Sequence, residues 1–401
     1  MKTTILHCDL NNFFASVECI DEPEYKDKPF AVCGSAEDRH GIVLAKNEIA
    51  KKLGITTGMT IARAKKLCKD LITCESNFDK YLFYSKKVRN IYEEYTDKVE
   101  SFGIDEAWLD ISDTKYSPFD LAHILRERVK KELSLTISVG VSFTKPFAKL
   151  GSEIKKPDAV TIIDESNYKK IVWQREVGDL LYVGKKIKKK LNDINIFTIG
   201  ELANTSPLIL TQALGKWGSI LYSFANATDN EKVVKNELQE VAKSIGNSTT
   251  SYRDLENRED IDILMQTLAE SVVKRTISHG YKSPSTITLW IKDNKLNSFT
   301  KNTQLSSSHL TVKNIHIEGM KLFDVSYDFS NPVRALGLTL SGFSETEKDN
   351  ALNNSTKKQL SLEKAISKIG NKFGKNTVKT GITLLDKKLV SQNYHDKGIS
   401  D

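Results

Sequence analysis

The stretch from Thr3 to Leu10 is apolar and β-prone, the pair Asn11-Asn12 interrupts it, and Phe13, Val17 and Ile20 then recur at helical spacing. A strand is therefore predicted to hand over to a helix between Asp9 and Phe13. Short strand-like runs at Phe30 to Gly34 and Ile42 to Ala45, with helical pieces at Glu48 to Leu53 and Ile61 to Leu67, predict a small inserted lobe. Tyr81 to Tyr95 reads as a helix. Val99 to Phe102 and Ala107 to Ile111 read as strands split by Gly103-Ile104-Asp105-Glu106, the form of a β-hairpin. An amphipathic helix at Leu121 to Leu133 and a strand at Thr136 to Val141 follow. Strands and helices thus alternate through about the first 165 residues, which predicts an α+β or α/β sheet with helices on one face.

Near Trp173 the texture changes to short helices punctuated by Gly184, Gly200, Gly215 and Gly218, with a strongly basic run from Lys185 to Lys190. Residues 166–232 are expected to form a small helical module, and the polar stretch from Asn230 to Glu240 a connector. A long helix at Ile261 to Thr276 and alternating strands at Thr286 to Ile291 and Val333 to Leu340 predict a separate α+β domain over 241–345. The polar run from Glu345 to Lys358 reads as a flexible linker.

Composition narrows the class only slightly. The chain of 401 residues is long enough for several cores, and its net charge of +7 suits a polyanionic partner as well as many ordinary enzymes. Five cysteines, all before residue 75 and without a C-x-x-C pair, read as reduced cytoplasmic thiols. No apolar run reaches the length of a membrane span, and Asp9 falls where a signal peptide would need apolar residues. Neither secretion nor membrane insertion is expected.

Asp9 ends a predicted strand and Asp105-Glu106 sit at a predicted hairpin tip, so neighbouring strands would bring three carboxylates to one sheet edge. Such a cluster repels itself unless cations neutralise it. Hard divalent ions, chiefly Mg²⁺, suit oxygen-only ligands, and two of them could position an attacking hydroxyl and stabilise a leaving pyrophosphate. Spacing alone leaves equally open that Asp9 caps the next helix and that Asp105-Glu106 merely solvate a turn.

Longer motifs decide between these. The run Asp9-Leu10-Asn11-Asn12-Phe13-Phe14-Ala15-Ser16-Val17-Glu18 and the run from Ser101 to Asp110 resemble the Y-family, or DinB/UmuC-type, translesion DNA polymerases. The resemblance continues through Ser138-Val139-Gly140-Val141-Ser142, Phe147-Ala148-Lys149, Lys155-Lys156-Pro157, Lys243-Ser244-Ile245-Gly246 and Val333-Arg334-Ala335-Leu336-Gly337, nearly the whole chain.

The resemblance implies a multidomain α+β right-hand polymerase. Its palm would occupy 1–165, with small fingers inserted at about 22–77, a helix-hairpin-helix thumb at 166–232, a DNA-backbone-binding little finger at 241–345 and a C-terminal tail at 346–401. It implies low-processivity, low-fidelity template-directed synthesis across damaged DNA from dNTPs on a primer-template, by a monomer. Two Mg²⁺ would be held by Asp9, Asp105 and Glu106 with the Leu10 carbonyl. Lys156 would meet the triphosphate. Phe14 would be the steric gate beneath the sugar, and Phe13 would either pack in the core or support the nucleotide floor.

In the fingers, relatives place Tyr and Arg where this chain has Glu48 and Lys51, so Lys46, Asn47 and Lys51 are the remaining candidates there for nucleotide contacts. Gly184, Lys185, Lys186, Gly215, Lys216 and Gly218 resemble paired hairpin turns that grip DNA phosphates without reading bases, and Arg334 is a further DNA contact. Gln359-Leu360-Ser361-Leu362 resembles a sliding-clamp-binding peptide, with Glu363 where an aromatic residue is common; the same residues equally suit the first turns of a helix running to Phe373. Two other readings keep the paired carboxylates or the basic module: a palm-type nucleotidyl cyclase, and a non-catalytic DNA-binding polymerase subunit.

Overall fold

The strand β1 (Ile5–Leu10) organises the first part of the molecule, and all six of its residues are buried. The structure is a computed structural model that describes residues 3–35, 41–235, 242–281, 283–305, 310–344, 354–373, 377–378 and 380–391. The chain divides into two units, the first built from Met1–Ser35 and Ile42–Gln239 and the second chiefly from Glu240–Lys397.

After β1 come α1 (Phe13–Asp21), β2 (Phe30–Cys33), β3 (Val43–Lys46), α2 (Glu48–Lys52), α3 (Ile61–Leu67), β4 (Ile72–Glu75), α4 (Phe78–Glu93), β5 (Val99–Ser101) and β6 (Glu106–Asp110). Then follow α5 (Pro118–Leu133), β7 (Ile137–Ser142), α6 (Lys145–Ile154) and β8 (Val160–Ile162). The main sheet has the order β5-β6-β1-β7-β8, with β1 antiparallel to both neighbours. The inserted lobe is a separate sheet, β3-β2-β4, over a small core of Ala31, Val43, Ala50, Ile55 and Leu71.

Side chains alternate across β1. Leu6, Cys8 and Leu10 join the core with residues of α1, α4 and α5, such as Val17, Val88 and Leu125. Ile5, on the other face, packs with Trp108 and with Ala148 of α6. The expectation of helices on one face is thereby corrected: α6 covers the second. It does so at backbone contact, because a Cβ on Gly140 would lie 1.9 Å from the Ala148 carbonyl oxygen and 2.5 Å from Ser152 N. Gly151 answers from the helix, where a Cβ would meet Gly140 Cα at 3.0 Å. Thr144 starts α6 by accepting from Phe147 N, and the buried Phe147 and Leu150 each contribute about 1.5–3 kcal/mol of apolar burial.

Phe147 and Leu150 also belong to the core of the helical module, α7 (Tyr168–Val172), α8 (Lys185–Asn192), α9 (Ile199–Asn204), α10 (Pro207–Leu214) and α11 (Lys216–Ala225). Of the two expected hairpins, the second is two helices joined by Gly215 alone, at φ +64°. The first pairs α8 with only a 3₁₀ turn, Val177–Asp179, because Tyr182 at φ +67° turns the chain between them. The connector also departs from expectation over 231–235, which dock on the first unit. Val233 is buried against Ile5 and Trp108, and Val234 N donates to Glu100 Oε2 at 2.8 Å. Glu100 is there because the buried Lys145 ammonium needs it, at 2.7 and 2.9 Å.

The second unit comprises β9 (Ser244–Leu255), α12 (Arg258–Ser278), β10 (Thr286–Asp293), β11 (Ser298–Gln304), α13 (Val312–Ser326), β12 (Val333–Ser341), α14 (Asn354–Phe373) and α15 (Lys387–Ser391). Its sheet runs β11-β10-β12-β9, and strict alternation along β10 turns Ile287, Leu289 and Ile291 into a core shared with α12 and α13. Two tail expectations change. Residues 354–358 start α14 rather than continue a linker, while 345–353 lie outside the described residues. Residues 380–391 are not a free tail, since Leu389 and Val390 are buried in the same core and Asp386 accepts from the Tyr252 hydroxyl and from Leu389 N. No helix among the described residues is long and apolar enough to cross a membrane.

Gly140→Ala forces α6 off the sheet, so it is expected to cost about 1–3 kcal/mol or more. Urea unfolding measures this, and an unchanged midpoint would contradict the contact.

Candidate active site

The register of β1 against β6 sets Asp9 directly opposite Glu106. Leu10 N donates to the Asp105 carbonyl at 3.0 Å, which fixes the next residue beside them. Gly103, at φ +89°, makes the hairpin turn, and α4 holds its tip: Arg89 donates to the Gly103 carbonyl at 3.0 Å and the Ser85 hydroxyl to that of Ile104. The three predicted carboxylates therefore converge on one sheet edge.

Side chains from α6 and the residues after it supply the opposing charge. Lys149 pairs with Glu106, and Lys156 Nζ lies 2.7 Å from Asp9 Oδ2 and 2.7 Å from Glu153 Oε1. Below them His7 is fully buried, its Nδ1 2.9 Å from Ser152 Oγ and its Nε2 3.2 Å from Glu106 Oε2. Ligand atoms of His7, Asp9 and Glu106 all lie within 4.8 Å of one another. Asp105 stands next to this group rather than in it. Burial raises the Asp105 carboxyl, and Glu106 adds to the rise. Burial pushes Asp9 up to about 8, opposed by Lys156 and reinforced by Glu106, and holds His7 down at about 4, so the imidazole is neutral. Closely placed carboxylates that resist ionising together are the hard oxygen donors that divalent cations favour, so the donor set fits such ions.

Phe13 is buried in the core, whereas Phe14 is half-buried and stacks on Tyr81, centroids 4.2 Å apart and planes 9° from parallel. Tyr81 is itself fixed by donating to Glu18 Oε1 at 2.6 Å. In the lobe, Asn47 is spent on the fold and is removed from the nucleotide contacts. Its Oδ1 accepts from Phe30 N and Ala50 N, and its Nδ2 donates to the Tyr25 and Lys28 carbonyls, which exhausts the amide. Lys46 reaches Thr57 Oγ1 at 3.1 Å, and Lys51 lies 3.6 Å from Glu48 Oε1. Glu48 Oε1 also accepts from Asn12 Nδ2 at 3.0 Å, tying the lobe to the residue that opens α1.

Gly184, Lys185, Lys186, Gly215 and Lys216 are exposed at the starts of α8 and α11. Gly218 is not available to a ligand: it is buried, and a Cβ there would meet the Leu210 backbone at 2.3 Å, so its role is helix packing. Arg334 is half-buried on β12. Gln359 to Leu362 lie within α14, with Ser361 and Leu362 exposed, and Glu363 Oε1 accepts from Val312 N at 3.1 Å. His7, Lys149, Ser152 and Tyr81 had no assigned role in the sequence. A period of two from Asp9 along β1 would have pointed to His7.

A profile described as the impB/mucB/samB family matches residues 8–153, and the C-terminal domain of that family matches 242–362. The chain is similar to the DNA polymerase IV of Acetivibrio thermocellus, 46% identical over 397 residues that cover 97% of this chain and 99% of that protein. It is also similar to DNA polymerase IV 1 of Bacillus subtilis, 34% identical over 389 residues and covering 95% of this chain and 93% of that one. Among solved structures it resembles a Y-family DNA polymerase chimera, with a TM-score of 0.75 at 22% identity, over 85% of this chain and 99% of the other.

An acid raised on folding binds more protons in the folded than in the unfolded state between its unfolded value near 4 and about 8, so Asp9 erodes stability as pH climbs through that window. With chelator present, Asp9→Asn is expected to unfold at higher urea than wild type at about pH 8, the gain shrinking toward about pH 5. Equal midpoints at the higher pH would contradict the buried acid.

Proposed function

A chain matching both parts of the impB/mucB/samB profile, and 46% identical to a DNA polymerase IV along nearly its full length, belongs to that family, the Y-family DNA polymerases, and from this premise we propose how its residues work. The protein is a DNA-directed DNA polymerase that synthesises across damaged templates. Neither the nucleotidyl cyclase nor the non-catalytic subunit is supported.

Residues 1–165 serve as palm, the lobe at about 22–77 as fingers, 166–232 as thumb and 241–345 as little finger. Asp9, Asp105 and Glu106, with the Leu10 carbonyl, would hold two Mg²⁺. When bound, such ions lower the pKa of the primer hydroxyl and offset charge on the departing pyrophosphate. The observation that carries this reading is the direct apposition of Asp9 and Glu106 across β1 and β6, with the Lys156 ammonium 2.7 Å from Asp9.

The chain's own groups do the rest. Lys156, released from Asp9, offers a compact cation to the triphosphate, and Lys46 and Lys51 add charge from the fingers. Phe14, held flat by Tyr81, serves as the gate with which a 2′-hydroxyl would collide. The exposed N–H groups and lysines that open α8 and α11 grip backbone phosphates, which makes DNA binding salt-sensitive and indifferent to sequence. Arg334 extends that grip. Gln359 to Leu362 dock on a sliding clamp, and the enzyme works as a monomer in the cytoplasm.

Primer extension on a templated duplex is the decisive assay. Glu106→Ala and Asp105→Ala are expected to lower the extension rate by about 10²–10³-fold or more while DNA affinity stays near wild type. A normal rate in either variant would remove that residue from the site. Phe14→Ala is expected to let ribonucleotides be incorporated; unchanged sugar selection would place the gate elsewhere.

A further inference from the structure

Glu48 has no role in the reading above, yet its carboxylate borders residues assigned to the nucleotide. Oε1 accepts from Asn12 Nδ2 at 3.0 Å, and Asn12 lies three residues after Asp9 and two before Phe14. The same oxygen is 3.6 Å from Lys51 Nζ, one turn further along α2. Both ends of the Asn12 contact are held. Asn12 precedes α1 in the left-handed region, at φ 50° and ψ 39°, where an asparagine ordinarily bonds its own helix; its side chain makes no cap bond, and the amide reaches across 36 residues to Glu48 instead. Glu48 opens α2, whose first turn is fixed by the Asn47 side chain accepting from Ala50 N at 3.0 Å.

Lys51 is held more loosely. At 3.6 Å its ammonium is ion-paired with Glu48 but too far for a good hydrogen bond, and both side chains are partly exposed, so the pair exchanges readily. Burial lowers the Lys46 ammonium below its ordinary range, Lys51 adds to the lowering and Glu48 opposes it, so the three charges act on one another.

We infer that Glu48 is a positioning residue for the incoming dNTP: fastened to the residue before α1 by Asn12, its carboxylate retains Lys51 and must release it before the triphosphate can take it, which weakens nucleotide binding. The inference rests on the reading that Lys51 adds charge to the triphosphate. On binding, the lysine exchanges one anionic oxygen for another, while the carboxylate keeps the Asn12 N–H and cannot follow. An amide in place of the carboxylate would still accept from Asn12 but would hold no lysine, so fastening and retention are separable. Because Lys51 is released when the nucleotide binds and stays released through the chemical step, the cost falls on KM rather than on kcat.

The test is single-nucleotide insertion on a primer-template by the full chain, with KM for the dNTP and kcat read separately. Glu48→Gln is expected to lower KM by about 2–5-fold with no matching change in kcat. A folding defect reduces the amount of active enzyme and hence the apparent kcat, so it cannot imitate that result. Asn12→Gly, which suits the left-handed backbone and unfastens the carboxylate, is expected to lower KM as well. Lys51→Ala is expected to raise KM, and in that background Glu48→Gln is expected to lose most of its effect, since no pair is left to release. If Lys51→Ala raises KM but Glu48→Gln does not lower it, the inference alone is overturned. An equal gain from Glu48→Gln with and without Lys51 overturns the retention, and a KM unmoved by Asn12→Gly overturns the fastening. A KM unmoved by Lys51→Ala removes that lysine from the nucleotide and overturns the inference together with the reading beneath it.

Discussion

The contact of α6 with β7 at Gly140 and Gly151 is the constraint from which the site follows. With no Cβ on either side, helix and strand meet backbone to backbone, and the second face of the sheet is covered at a depth no larger residue would allow. That depth decides what the helix can reach. Lys149 arrives at Glu106, Ser152 at His7, and the chain leaving α6 brings Lys156 to Asp9. Because β1 is covered on both faces, the carboxylate at its end is taken out of water before any substrate is present.

That burial sets the electrostatic character of the place. Two carboxylates face each other across paired strands, and each is compensated by a different lysine. In a polymerase such an arrangement is unfavourable for folding and favourable for function, since carboxylates that gain from added positive charge bind cations most strongly, and bound cations in turn attract a polyphosphate ester. Lysine serves here because its ammonium is a mobile point charge; a forked guanidinium would hold a carboxylate more rigidly.

Much of this was legible in the residues. The strand-to-helix handover at Asp9, the hairpin around Asp105 and Glu106, and the helices within Leu121 to Leu133 and Ile261 to Thr276 all follow from local periodicity, and the structure has them within a few residues. What was not legible depends on contacts between distant segments. Nothing local in Lys145 announces an ammonium buried against Glu100, so 231–235 read as a plain connector. Asn47 stands in a run that suggests nucleotide binding, but one of its four bonds caps its own helix at Ala50 and the other three go to Phe30, Tyr25 and Lys28, earlier in the chain. Gly218 has the spacing of a phosphate-binding turn and proves to be the point where α10 and α11 touch. His7 was hidden for the same reason, since its partners Ser152 on α6 and Glu106 on β6 are far away in the chain.

The fastening of residues 231–235 has a mechanical side. They are pinned through Val233 and through Glu100, and Glu100 lies on β5, the strand hydrogen-bonded to the one that begins with Glu106. Tension arriving along the polypeptide from beyond residue 235 would be met first at this rivet, ahead of the helical module, and would be felt as shear along the hairpin that carries two of the acids. Strain elsewhere in the chain and the alignment of those acids are thus joined by one short anchorage.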